Sequence, residues 1–159
     1  MKNIFRHLLS FILPFTVLII VPLCIEKNIS LHSILVTLTG CLIIASGLII
    51  MILTIFKFAT IGRGTLAPWS PTKKLVISGL YKYVRNPMII GVFLVLIGES
   101  LMVLSIYILS WAVLFFFINT TYFIVFEEPG LKKRFGDEYL EYKQHVRRWI
   151  PRITPYNPL

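Results

Sequence analysis

Charge is scarce in this chain, and negative charge scarcer still: only 14% of the 159 residues are charged, with 7 Asp and Glu against 16 Lys and Arg. Ordinary soluble domains carry about 25% charged residues, so a freely soluble globule is excluded by composition. The 2 cysteines, Cys24 and Cys41, lie inside apolar runs, with no second cysteine or histidine at ligand spacing. They read as small packing residues, and neither a disulfide framework nor a metal site is expected. The 3 histidines, His7, His32 and His145, are scattered, so no Ser-His-Asp arrangement can be drawn and covalent hydrolytic catalysis drops out. Gly62-Arg63-Gly64 is not a dinucleotide loop, and no Walker motif occurs. Recurrent strand-like alternation is also missing, which a membrane β-barrel would need many times over.

What the chain has in excess is apolar residues: 57% are hydrophobic and the mean hydropathy is +0.81. Three apolar tracts run from Leu8 to Ile25, Leu31 to Phe56 and Met88 to Phe126. One membrane-crossing helix needs about 20 residues, so the first two tracts suit one crossing each and the third suits two. The expected fold is all-α: a polytopic membrane helical bundle of four transmembrane helices plus a C-terminal amphipathic helix. The whole chain, 1–159, reads as one membrane domain. Its helices fall at about 8–25, 31–56, 87–104 and 106–126, with a cytoplasmic loop over 57–86 and a tail helix over 130–149. A cleavable signal peptide is disfavoured, because the first apolar run is too long and no small-x-small site follows.

Charge placement orients the bundle. Lys2 and Arg6 precede the first helix; Glu26 and Lys27 cancel between the first two. Lys57, Arg63, Lys73, Lys74, Lys82 and Arg85 lie before the third helix without a carboxylate, and Lys132, Lys133, Arg134, Lys143, Arg147, Arg148 and Arg152 follow the fourth. Four crossings bring every cation-rich segment to one face, as the positive-inside rule requires. Both termini are then cytoplasmic, in a plasma membrane or the endoplasmic reticulum. The net charge of +9 is explained by orientation and lipid headgroups, so no nucleic-acid partner is expected.

The loop over 57–86 is longer than an idle link. It carries turn-forming Gly62-Arg63-Gly64 and Pro68-Trp69-Ser70-Pro71 among apolar anchors, which predicts a segment folded against the headgroup layer. Asn86-Pro87 supplies a cap and a first-turn proline for the third helix. An ordinary amphipathic surface loop accounts for the same residues. In the tail, Leu131, Phe135, Tyr139, Tyr142, Val146 and Trp149 recur at steps of three and four, an amphipathic stripe weakened at Gly136 and ended by Pro151.

The carboxylates Glu127 and Glu128 stand where the fourth helix is expected to end. They oppose its dipole there, by about 0.3–1 kcal/mol each, or they favour the start of a tail helix opened by Pro129. Glu99 lies well inside the third helix, where a carboxylate costs about 2.5–3.5 kcal/mol and usually faces a cavity or partner. On the second helix, Gly40 and Gly47 share a face seven residues apart, which predicts close helix packing, either within the chain or in a homodimer.

Three linked signals carry a resemblance. They are Leu75-Val76 through Gly79-Leu80-Tyr81; Arg85-Asn86-Pro87 with Gly91; and Glu127-Glu128 followed by Phe135-Gly136-Asp137-Glu138-Tyr139 and Tyr142. In that order and spacing the chain resembles the superfamily of isoprenylcysteine carboxyl methyltransferases and phospholipid methyltransferases, over about Gly62 to Pro151. The resemblance implies an S-adenosylmethionine-dependent membrane enzyme whose cofactor pocket lies at the cytoplasmic edge. Cofactor contacts would be Lys73, Lys74, Leu75, Val76, Tyr81, Arg85, Asn86, Pro87, Met88 and Glu127, and the catalytic candidates are Arg85, Glu127 and Glu128. Arg85 suits the methionine carboxylate, Glu127 the ammonium or ribose hydroxyls, and Tyr81 the sulfonium. Glu128 or Glu99 could take a proton from an ammonium acceptor.

Two departures bear on the acceptor. Prenylcysteine enzymes usually have Arg-His-Pro where this chain has Arg85-Asn86-Pro87, and an arginine where it has Phe123. A lipid-like or other small hydrophobic acceptor is therefore favoured over a prenylcysteine carboxylate. The other readings are a sterol-reductase-like nicotinamide enzyme, whose chains are much longer, and a membrane scaffold with a basic face.

Overall fold

The computed structural model describes residues 12–27, 30, 33–62 and 74–158. Expectations for Lys2, Arg6, His7, His32, Arg63, Trp69 and the cofactor candidate Lys73 lie outside the described residues. Among the described residues the chain is all helical, without a strand. Helix α1 spans Ile12–Ile25 and contains a π-helical turn at Thr16–Ile20; α2 spans Ile34–Thr60. A 3₁₀ turn at Gly79–Lys82 precedes α3, Pro87–Met102. Helix α4, Ile106–Tyr122, runs through a second π-helical turn, Phe123–Glu127, into α5, Glu128–His145.

Two helices are long and apolar enough to cross a membrane, α2 and the continuous α4–α5 rod; α1 and α3 are apolar but shorter. At 16 residues α3 is about 24 Å long. Helix α2 extends to Thr60, past the expected end at Phe56, so the loop before α3 starts later.

Two expectations about the tail are corrected. No break separates a fourth helix from a tail helix: a single extra residue of π-helical turn is absorbed at Phe123–Glu127, and the helix continues through Pro129 as far as Gly136. The tail helix also ends at His145, not Trp149, because Val146 adopts an extended backbone. Val146 is buried and Trp149 partly buried, both from a non-helical strap, so their three-and-four spacing with the helix stripe does not reflect helical continuity.

Helices α2 and α3 meet through paired glycines. A Cβ on Gly47 would stand 2.6 Å from Gly91 O, and one on Gly40 would stand 2.8 Å from Gly98 O. The glycine face predicted on α2 thus meets a matching face of this same chain, which removes the sequence feature that had raised a homodimer. Around this contact Met51, Ile89, Val92, Val95, Leu96, Ala112 and Phe115 form the core.

One end of the bundle is closed by Ser105, whose Oγ donates to Glu26 Oε2 at 2.6 Å and accepts from Ile108 N at 3.4 Å. Helix α1 is tied to α4 by Trp111 Nε1, which donates to Val17 O within the first π-helical turn at 3.1 Å. Such a turn shifts the hydrogen-bonding register and frees carbonyls for other donors. The opposite end gathers the segment 74–86, the start of α3, α5 and the strap 147–157.

Candidate functional site

Pro87 fixes where α3 begins. It occupies the first turn behind Asn86, as the sequence predicts, although the Asn86 side chain makes no capping hydrogen bond. The preceding segment is held open by the strap, which runs antiparallel to it. Arg85 N donates to Arg147 O at 3.0 Å, Arg152 N to Tyr83 O at 2.9 Å, and Tyr156 N to Lys82 O at 2.9 Å. Lys82 Nζ adds a bond to Asn157 Oδ1 at 2.6 Å.

Beneath the strap lies a tyrosine layer. Tyr139, Tyr142, Val146 and Tyr156 are buried together, with Leu75, Ile77, Leu131 and Phe135 packed around them. Gly136 makes this possible: its backbone, φ 54° and ψ −127°, interrupts α5 and turns the segment carrying Tyr139 and Tyr142 toward the loop. Tyr142 Oη then donates to Tyr81 O at 2.6 Å, and Tyr156 Oη to Glu141 Oε1 at 2.8 Å. Burial raises the Tyr81 and Tyr142 hydroxyls above their ordinary values, so both remain protonated donors.

The centre of the site is Glu128, whose side chain is only 7% exposed. Its Oε1 accepts from Arg85 Nη1 at 3.0 Å and Arg148 Nε at 2.7 Å, and its Oε2 pairs with Lys143 Nζ at 2.8 Å. Arg85 Nη1 also donates to Tyr139 Oη at 3.0 Å. Burial alone would raise the Glu128 carboxyl, but Arg148, Lys143 and Arg85 outweigh it and hold the group below the ordinary value. Three cations around one carboxylate leave the site positive. Two buried donors, Arg85 Nε and Trp149 Nε1, have no acceptor among the described residues. Such a donor costs about 1–3 kcal/mol when left unpaired, and native structures rarely tolerate one without a purpose.

The predicted residues separate into those drawn together and those left aside. Arg85 and Glu128 are paired; Tyr81 and Val76 are buried beside the tyrosine layer, Leu75 packs on it, Pro87 is buried and Met88 touches the core. Lys74 is exposed. Glu127 is not at Arg85: its side chain is 30% exposed and pairs with Arg134 at 3.5 Å. Consecutive residues of a helix point about 100° apart, so only one of two neighbouring glutamates can face inward. Glu99 lies twelve residues along α3 from Pro87, about 18 Å of helix, and belongs to the other half of the bundle. Tyr139, Tyr142, Lys143, Arg148 and Trp149 join the site without having been assigned a role from sequence. Trp149 reaches back into the bundle, 4.9 Å from Phe116 and 6.0 Å from Phe123, ring centre to ring centre.

A helical bundle whose polar groups converge at one end, beside helices fit to cross a membrane, defines a membrane protein with an electropositive site at its edge. The family model for phospholipid methyltransferase matches residues 35–138, well over half the chain. The chain belongs to that family, membrane proteins whose reaction is methyl transfer. The match runs from the start of α2 to the kink of α5 and includes Arg85, Glu127 and Glu128; the strap lies beyond it. An uncharacterized protein of Haemophilus influenzae is 43% identical over 44 residues, which cover 26% of this chain and 70% of that protein. No solved structure matches the chain.

Proposed function

We propose that the chain is an S-adenosylmethionine-dependent methyltransferase that crosses the membrane four times, with both termini cytoplasmic, and methylates a lipid-like or small hydrophobic acceptor. The observation that carries the reading is Arg85: a buried guanidinium fixed by Glu128 and Tyr139 through one terminal nitrogen while its Nε lacks an acceptor. The remaining edge of that fork fits a carboxylate such as that of the cofactor's methionine part. Trp149 Nε1 is a second donor open to an acceptor on the ligand. In four crossings α1 and α3 take the shorter spans, which a bilayer accommodates by local thinning.

When bound, S-adenosylmethionine supplies a methyl group already activated for attack, so the protein's work is alignment and exclusion of water. Arg85 binds and orients the carboxylate end. Glu128 positions Arg85, since both its oxygens are engaged by the cations around it. Glu127, outside the buried cluster and paired only at 3.5 Å with Arg134, can exchange that partner for an ammonium or hydroxyl at the pocket edge. The tyrosine layer and the strap keep the bottom of the site dry, and the acceptor's apolar part is left to enter from the lipid side of α3 and α4.

The test is calorimetric titration of the detergent-purified protein with S-adenosylhomocysteine, beside Arg85→Lys. Lysine keeps the charge but not the planar fork. The expected result is wild-type binding in the micromolar range that weakens by at least about tenfold in Arg85→Lys, equal to 1.4 kcal/mol. Unchanged affinity in the variant would remove Arg85 from the site, and no binding by folded wild-type protein would favour a scaffold with a basic face.

A further inference from the structure

We propose that the outer face of the strap is a binding site for the headgroup of an anionic phospholipid, distinct from the Arg85–Glu128 site. The strap leaves an open cleft of about 580 Å³ whose lining includes Gln144, His145, Arg147, Ile150, Arg152 and Ile153 and contains no carboxylate. That volume lies within the range of small-ligand sites.

Adjacent residues of the extended strap divide their duties. Arg148 turns inward to Glu128, while the neighbouring Arg147 is exposed and its guanidinium has no partner among the described residues. Arg152 gives Nη1 to His145 O at 2.7 Å, which fixes the side chain and leaves the rest of its fork for a ligand. Two guanidiniums with no opposing carboxylate suit a phosphate, which they can grip in a forked geometry that lysine cannot match.

The apolar residues of the same face select a lipid over a free anion. Ile150 is 61% exposed and Ile153 is 99% exposed, an unfavourable placement in water. Trp149, next to Ile150, is seated on Phe116 of α4 and Phe123 of the π-helical turn that follows it, so the strap is held at the level of the last apolar turns of that helix. At that depth the isoleucines lie among acyl chains and the arginines extend to the phosphate layer. The cleft lies beyond the residues the family model matches.

The test is thermal unfolding of the full-length protein in a neutral detergent with added dioleoyl phosphatidylglycerol, dioleoyl phosphatidylcholine or inorganic phosphate. Wild-type protein is expected to rise by several degrees with phosphatidylglycerol and not with the other two. Arg147→Gln, which removes no contact of the fold, is expected to lose at least half of that rise, and Arg147→Gln with Arg152→Gln all of it. Lys132→Gln with Lys133→Gln removes the same charge from exposed positions on α5 and is expected to keep it. Equal shifts with both lipids, an equal shift with inorganic phosphate, or an equal loss in the lysine variant would each overturn the site. S-adenosylhomocysteine affinity, measured on the same samples, reports on the Arg85 site separately.

Discussion

Arg85 Nη1 and Glu128 Oε1 stand 3.0 Å apart, an ion pair that joins the entrance of α3 to the first turn of α5. Because Arg148 Nε reaches the same oxygen at 2.7 Å, one carboxylate fastens the loop, the tail helix and the strap. Removing it would leave the buried guanidinium of Arg85 facing Arg148 and Lys143 without an anion. Taking one partner from a buried pair costs about 3–5 kcal/mol. Glu128→Gln is therefore expected to lower unfolding stability in mixed micelles by about 3 kcal/mol, and Arg148→Gln by less, since that side chain is 22% exposed and better hydrated. A Glu128→Gln loss below about 1 kcal/mol, the level of a surface pair, would show that the cluster is not a fastening.

The same carboxylate sets a pH dependence. Its folded-state pKa is lowered, so the unfolded chain binds the proton more readily, and the stabilisation is fully present above the ordinary value of 4.5. It is lost as the pH falls through the folded-state value. The gap in thermal midpoint between wild type and Glu128→Gln should be constant from pH 7 to about pH 5 and close below the ordinary 4.5. A gap that widened with acid would give the shift the opposite sign.

How much of this was legible in the sequence depended on whether local chemistry or helix phase decided the feature. The entry to α3 was legible because Asn-Pro fixes a boundary locally. The glycines of α2 were legible as a packing face, but their partners were not: Gly91 and Gly98 share the same spacing, yet α3 is apolar all round except at Glu99 and Ser100 and carries no polar stripe to show which face turns inward. Helix phase also governed the choice between Glu127 and Glu128. The π-helical turn at Phe123–Glu127 inserts about one residue, a rotation near 100°, between α4 and α5. Nothing in Phe-Ile-Val-Phe-Glu announces that turn, so which of the two glutamates the fold buries, Glu128, was not legible. The tail stripe misled for a related reason, since Val146 and Trp149 keep helical spacing but are turned onto the bundle by an extended strap.

The glycine contact gives a third expectation. At Gly47 a methyl group would meet Gly91 O at 2.6 Å and Val95 Cγ2 at 2.9 Å. Backbone cannot rotate away as a side chain can, so α2 and α3 would have to separate. Overpacking of this kind costs about 1–3 kcal/mol. Gly47→Ala should lower the thermal midpoint by several degrees, while Gly130→Ala, whose nearest neighbour would be Arg134 Nη2 at 4.0 Å, should leave it unchanged or raise it slightly through alanine's helix preference. Equal midpoints for the two variants would mean that the helices can shift freely at this crossing.

Gly136 tests whether the kink in α5 builds the site. Its φ of 54° and ψ of −127° mirror the extended conformation of ordinary residues, a region open to glycine and strained for any side chain. No atom lies within 4 Å of a Cβ placed there, so substitution meets no steric neighbour and the whole penalty is backbone strain, about 1–3 kcal/mol. The variant has two ways to respond. It can keep the kink and carry the strain, which lowers stability alone, or relax into continuous helix, which swings Tyr139 and Tyr142 off Arg85 and Tyr81. Relaxation is the expected course, because alanine gains about 1 kcal/mol over glycine in a helix while also escaping the strain. Gly136→Ala should therefore raise the helical signal in circular dichroism slightly and weaken S-adenosylhomocysteine binding at the same time. A loss of stability with binding intact would mean that the strap and the Glu128 cluster hold the kink by themselves, and that glycine only makes it easier to form.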